Sequence, residues 1–319
     1  MSGLSLIELM VSITLGLLIL SGVAFVFVNA SSARNEVERT SRQIENGRYA
    51  VEVISDDLRL AGFYGELNVG AVAVPGALPV DQCSLAAADW NAWIPLHVQG
   101  YDNGAGFNQA TCPLTNYKAN TDILLIRRAR ACLAGIAGCE AAIGGKAYLQ
   151  VSLCASEVIA HKLGNQGTET FDLMKKDCAN NAERRQYFVH IYYVSTDNGS
   201  GQNVPTLKRL ELDGGAWTTT ALVEGIEEFN VEYGLDTNGD GAPDSYAVSL
   251  ATVADWTNVV SVQLHILARN LETSPGFALS KTYSLGAGVA PIVLADGFRR
   301  HVYSSLVRLN NPAGRKDTP

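Results

Sequence analysis

From Leu4 to Val28 the chain runs for 25 residues with one charge, Glu8, and no proline. In a helix at about 1.5 Å per residue, such a run covers about 37 Å, more than the bilayer hydrocarbon core of about 30 Å. A lone carboxylate inside so apolar a stretch is costly to bury, so Glu8 reads as a functional group rather than an accident. A secretory signal would carry a basic start, a shorter apolar core and a small-x-small cleavage site. No basic residue precedes this run, and the run is too long for a signal core. An ordinary single-span anchor accounts for the length, but for neither Glu8 nor the glycine, Gly3, directly before the run.

Removing this segment from the 319 residues leaves enough chain for a spine and one large or two fused lobes. Charged residues are 18% of the chain and the formal net charge is −8. The basic runs Arg127-Arg128-Ala129-Arg130, Lys175-Lys176, Arg184-Arg185 and Arg299-Arg300 are short, and each reads as a solvated strand edge or loop. Nucleic acid is therefore not an expected partner. Six cysteines, Cys83, Cys112, Cys132, Cys139, Cys154 and Cys178, all lie beyond the apolar run. An even number in an exported chain reads as a disulfide set, with fifteen connectivities open. Cys132 and Cys139 enclose a small Leu-Ala-Gly-Ile-Ala-Gly loop that can close locally, and Cys83–Cys112 with Cys154–Cys178 would complete a sequential pairing. Zinc is disfavoured, because no C-x-x-C occurs and the histidines are scattered.

Past Asn29 the composition changes while the helix signal continues. Val37, Ile44, Val51 and Leu58 recur at seven-residue spacing, Ile54 and Ala61 fill a second stripe, and charged residues populate the other faces. The pattern predicts an amphipathic helix to about Leu60 that stops at Gly62, with Gly47 as its weak point at a cost of about 1 kcal/mol relative to alanine.

Gly3, Leu4 and Glu8 take the places that resemble the N-terminus of type IV pilins: a glycine, a cut, an apolar residue, and glutamate fifth in the mature chain. That resemblance implies a leader at 1–3, cleavage by the prepilin peptidase between Gly3 and Leu4 with methylation of the new Leu4 amine, and Glu8 as the charge that neutralises an amine within a helix bundle. Leaders of that family carry basic residues, and Met1-Ser2-Gly3 has none. Gly47-Arg48-Tyr49-Ala50 followed by Asp57-Leu58-Arg59-Leu60-Ala61-Gly62-Phe63 is similar to the end of the long helix in PilW-type minor pilins and in the J-type minor pseudopilins of type II secretion.

Beyond Phe63 the periodicity becomes that of strands. Phe229, Val231, Tyr233 and Leu235 alternate with Glu228, Asn230, Glu232 and Gly234, and Val260, Val262, Leu264 and Ile266 alternate with Ser261, Gln263 and His265. Further strands are expected at 122–128, 187–195, 206–212 and 302–309. His190, His265 and His301 read as solvated or hydrogen-bonded rather than catalytic. Residues 65–120 read as a loop-dominated insertion held by Cys83 and Cys112, with Trp90 and Trp93 in either a partner surface or a local core. No G-x-S-x-G, H-E-x-x-H, Walker A or dinucleotide fingerprint is present, so an enzyme is not expected.

Asp236, Asn238, Asp240, Ala242 (through its carbonyl) and Asp244 fall at positions one, three, five, seven and nine of an EF-hand-like loop, with Gly241 at six. Alternating oxygen ligands of this kind suit Ca2+, although Ala247 stands where a full EF-hand has glutamate, and Glu232 or Asp255 would have to complete the set. The other reading is an Asp/Asn/Gly turn between strands without metal. The sequence around this loop and the closing segment 298–311 also resemble the C-terminal part of PilW.

The expected fold is α+β and type IV pilin-like: a leader (1–3), a transmembrane and assembly half-helix (4–28), an amphipathic half-helix (29–62), and a periplasmic antiparallel β-domain with a disulfide-bonded insertion (63–319). The resemblance implies a single-pass protein of the bacterial inner membrane that later joins the pilus fibre, near its tip. It would prime assembly with other minor pilins, the major pilin and a tip adhesin. A J-type minor pseudopilin is the alternative.

Overall fold

The computed structural model describes residues 5–213, 215–274, 276–277 and 280–317. Gly3 and Leu4 lie outside the described residues. The apolar run and its amphipathic continuation form one helix, α1 (Leu6–Arg59), about 80 Å long. It ends where the glycine signal lies. Leu60 caps it, and Gly62, at φ +69°, donates its amide to the Arg127 carbonyl. A side chain at Gly62 would crowd His97 and Pro312 as well as take up a strained backbone.

The remainder is built of antiparallel strands with the short α-helices α2 (Ala87–Ala92), α3 (Val253–Thr257) and α4 (Asn310–Lys316). The larger sheet holds β1 (Val98–Tyr101), β2 (Ile123–Leu133), β3 (Ala147–Val151), β4 (His161–Asn165), β5 (Arg184–Ser195), β6 (Thr206–Asp213) and β7 (Ala216–Glu224). The long β5 organises it: β2 pairs with one edge, while β3 and β6 share the other. The second sheet has the order β13 (Arg300–Arg308), β10 (Val259–Arg269), β8 (Ile226–Leu235), β9 (Ser245–Ala247). A two-stranded ribbon, β11 (Lys281–Tyr283) with β12 (Ile292–Leu294), lies over that sheet's outer face, where Tyr283 and Leu285 pack with Leu267 and Val302. The architecture is therefore the expected α+β one, a long helix on antiparallel sheets. All six strands read from the sequence are present.

The period-two alternation assigns the faces of the second sheet. Phe229, Val231 and Tyr233 pair across to Ile266, Leu264 and Val262, forming the apolar face on which α1 packs together with β13. The expected stripe gives the buried face of the last two turns of α1, through Ile54, Leu58 and Ala61, but not that of the turns before it. Val37 is 66% and Ile44 39% exposed, whereas Gln43, Gly47, Ala50, Ile54 and Leu58 are buried. Gly47 explains the rotation, because a Cβ there would lie 2.1 Å from Cε2 of Tyr303. The helix thus turns its smallest residue to β13, and what reads as a weak point is the point of closest approach. Gln43 is buried without penalty because its amide donates to the Ala268 carbonyl at 2.8 Å.

Other expectations are corrected. The segment 65–120 belongs to the main core: Trp90 and Trp93 are buried with Ile94, Leu96 and Val98 and offer no partner surface. Arg127 is not solvated. It is wholly buried, donating to Leu96 O and Gln99 Oε1 beneath the Trp93 ring. Arg300 is likewise buried, held by Asp296 and Glu227. His265 is the hydrogen-bonded histidine of the two expected alternatives, with Nδ1 2.8 Å from the Ser304 hydroxyl, and it is buried because the chain at Gly286 and Ala287 folds over it and Glu232. The three disulfides pair as expected, Cys83–Cys112, Cys132–Cys139 and Cys154–Cys178.

Candidate assembly interface

Sixteen large apolar side chains between Leu6 and Val28 are each 50–75% exposed. At about 1.5–3 kcal/mol for full burial of each, leaving them in water forfeits roughly 15–30 kcal/mol, beyond the 5–15 kcal/mol net stability of a domain. This half of α1 is long and apolar enough to cross a membrane, and none of it is covered by the chain's own fold. That is compatible with a single-pass anchor, in which lipid or neighbouring apolar helices would supply the missing contacts. Glu8 lies one turn inside the start, where its Oε2 accepts the Ser5 amide at 3.0 Å. In this position the carboxylate closes the helix end and remains exposed, open to a charge from outside the chain.

At the far end of α1, Asp57 anchors the spine to the larger sheet. Its Oδ1 lies 2.5 Å from Arg128 Nε and its Oδ2 2.6 Å from His190 Nδ1, while Tyr192 donates its hydroxyl to Oδ2 at 2.9 Å. Burial pushes the Asp57 carboxyl up, but the His190 and Arg128 charges override it and hold the group well below the usual carboxylate range. On its other side His190 faces Glu211, which Arg209 pairs at 2.6 Å. In the sequence Asp57 stands within the PilW-like Asp57–Phe63 motif and His190 within an expected strand, and neither pattern links the two. They are 133 residues apart, and no local pattern carries that contact. His301 stays exposed, with its ring edge-on to Tyr303.

The 236–244 loop folds as a series of side-chain turns. Asp236 accepts the amides of Gly239 and Gly241, Asn238 that of Asp240, Asp240 that of Ala242, and Asp244 that of Thr237. Among the described residues no group of three His, Cys, Asp or Glu side chains converges as a metal set. Glu232 and Asp255, the candidates to complete one, are engaged elsewhere, at His265 with Ala287 and at the start of α3. A residue that the motif does not reveal, Lys316 of α4, sets its ammonium 3.5 Å from Asp236 Oδ2 and 3.1 Å from the Asp236 carbonyl.

Residues 191–311 match the family model of PilW, the type IV pilus-assembly protein W. The resemblance to PilW is thus borne out over the second sheet and the elements around it. That sheet carries the packed half of α1. A type IV-like pilin from Thermus thermophilus is similar in structure at 14% identity, over 85% of this chain and 97% of that one, with a TM-score of 0.38. No curated protein matches the sequence.

Proposed function

We propose that this chain is a structural minor pilin of a type IV pilus. It primes fibre assembly from a complex with other minor pilins at the inner membrane and sits near the fibre tip, with the major pilin and a tip adhesin as neighbours. One observation carries this reading: a single helix leaves its first half wholly uncovered and packs its second half on the sheet that matches PilW. The uncovered half supplies the anchor before assembly and the bundle contact after it, and Glu8 sets register by pairing with an amine of an adjacent helix. Prepilin peptidase acting between Gly3 and Leu4 would create such an amine. Replacing Glu8 with alanine should leave the protein in the membrane but reduce its co-purification with pilus subunits several-fold. Undiminished co-purification refutes the register role, and an unmethylated native Leu4 by mass spectrometry refutes the processing. Association with a secretion complex instead of a pilus would identify the J-type pseudopilin alternative.

Calcium at Asp236, Asn238, Asp240, Ala242 and Asp244 is proposed on the alternation of oxygen donors and on the turns that already curl them round Gly241. The cation would have to displace Lys316 from Asp236. Isothermal titration of the detergent-purified chain should show binding below millimolar calcium. No heat, with melting indifferent to chelator, would leave the loop as a metal-free turn.

A further inference from the structure

Between α1 and β11–β13 lies an open cleft of about 580 Å³. One wall is α1, with Ile44 and Arg48, and the other is β11, with Lys281 and Tyr283. Its base is touched by both Arg300 and His301, neighbours on β13. Successive side chains of a strand point to opposite faces, so a cleft that reaches both opens on the edge of the strand.

That edge is unpaired. The Leu309 amide bonds to the Val260 carbonyl and the Asn270 amide to the Arg299 carbonyl, which fixes the phase of the ladder between them. His301, Tyr303, Ser305 and Val307 therefore turn their backbone groups to β10, while Val302, Ser304 and Leu306 turn theirs outward. Among the described residues nothing bonds to these outward groups. Edge strands are usually blunted by charges, proline or a bulge. From Val302 to Val307 there is no charge and no proline, and the register against β10 runs without a shift. The edge of β4, in contrast, is closed by α2, where Asn91 donates to the Leu163 carbonyl at 2.9 Å.

Open N–H and C=O groups in a row select an extended peptide, and the walls select its side chains. A strand added here sends alternate side chains toward α1 and toward β11. Arg48 is exposed on the first side and Lys281 on the second, where it rests over the Tyr283 ring. No Asp or Glu among the described residues lines the cleft, and Glu45 and Glu52, a turn to either side on α1, do not come within ion-pair distance of Arg48. We propose that the open edge of β13 takes an extended acidic segment of a different protein as an added strand. Two carboxylates an odd number of residues apart in that segment meet Arg48 and Lys281 on opposite faces. This contact is separate from the bundle contact of the uncovered half of α1.

The test uses the detergent-purified full chain and, as probe, a fluorescent eight-residue valine–threonine peptide with glutamate at its third and sixth positions. Binding should saturate below millimolar peptide and slow deuterium exchange at the amides of Val302, Ser304 and Leu306. Ser304→Pro removes an outward N–H without touching the β10 ladder and should weaken binding about tenfold. Ser304→Ala, which loses the same hydroxyl, should bind as wild type does. Arg48→Glu with Lys281→Glu should weaken the glutamate probe about tenfold and favour its lysine counterpart, and this decides the matter if Ser304→Pro melts early. No saturable binding, protection outside β13, a folded Ser304→Pro that binds like Ser304→Ala, or indifference to the charge reversal overturns the proposal. A dimeric chain whose β13 amides are already protected without probe also overturns it, giving the edge to a second copy.

Discussion

Replacing Asp57 with alanine removes the acceptor of Arg128, His190 and Tyr192 together, at contacts of 2.5, 2.6 and 2.9 Å. Charge-assisted hydrogen bonds of this kind contribute about 1.5–3 kcal/mol each, but the carboxylate is 5% exposed, so its own desolvation offsets part of that sum. What decides the magnitude is the state left behind, since Arg128 would stay largely buried without a counter-charge and His190 would keep only Glu211, at 3.6 Å. Breaking a buried pair in this way costs about 3–5 kcal/mol, roughly a fifth or more of a domain's net stability, and at roughly 2–4 °C per kcal/mol lowers the melting temperature by about 6–20 °C. The effect should depend on pH with a definite sign. The folded Asp57 carboxyl lies below its unfolded value of 3.8, so its contribution is complete above about pH 4 and declines as the pH falls further. Thermal unfolding of wild type and Asp57→Ala, followed by circular dichroism at pH 7 and again at pH 3, measures both quantities. A loss under 1 kcal/mol at pH 7, or one that does not shrink at pH 3, refutes the account of Asp57 as the charged anchor of the spine.

Gly47→Ala should destabilise by about 1 kcal/mol, because overpacking against Tyr303 outweighs the gain of about 1 kcal/mol in helix propensity. In a Tyr303→Ala background the same change should stabilise, and a higher melting point for Gly47→Ala alone contradicts the close approach. Asp122 is buried against the Asn103 and Val231 amides, and burial pushes its carboxyl up to about 7. Its folded value exceeds the unfolded 3.8, so stability should fall by up to about 4 kcal/mol as the pH rises from 4 to 7. Denaturant titrations across that range should show a flatter profile for Asp122→Asn; equal slopes would count against the shift.

The sequence by itself determined the features that depend on neighbours within one or two turns. The helix through residue 59, its uncovered first half and the stop at Gly62 follow from hydropathy, periodicity and a glycine. Six strands follow from alternation, and the Cys132–Cys139 closure from a short loop. Seven further strands among the described residues carry no such signal. Those with both faces buried, such as β3, do not alternate, and three-residue strands such as β11 are too short to show a period. Only the tertiary structure decided which face of α1 is buried around Gly47, because side-chain size at the contact with Tyr303, and not hydrophobicity along the stripe, limits how near the helix can come there. It also decided that Arg127 and His265 lie inside, that Asp57 meets His190, and that Lys316 reaches Asp236. In each case the partner that makes burial of a polar group affordable comes from a distant part of the chain, and local pattern holds no record of it.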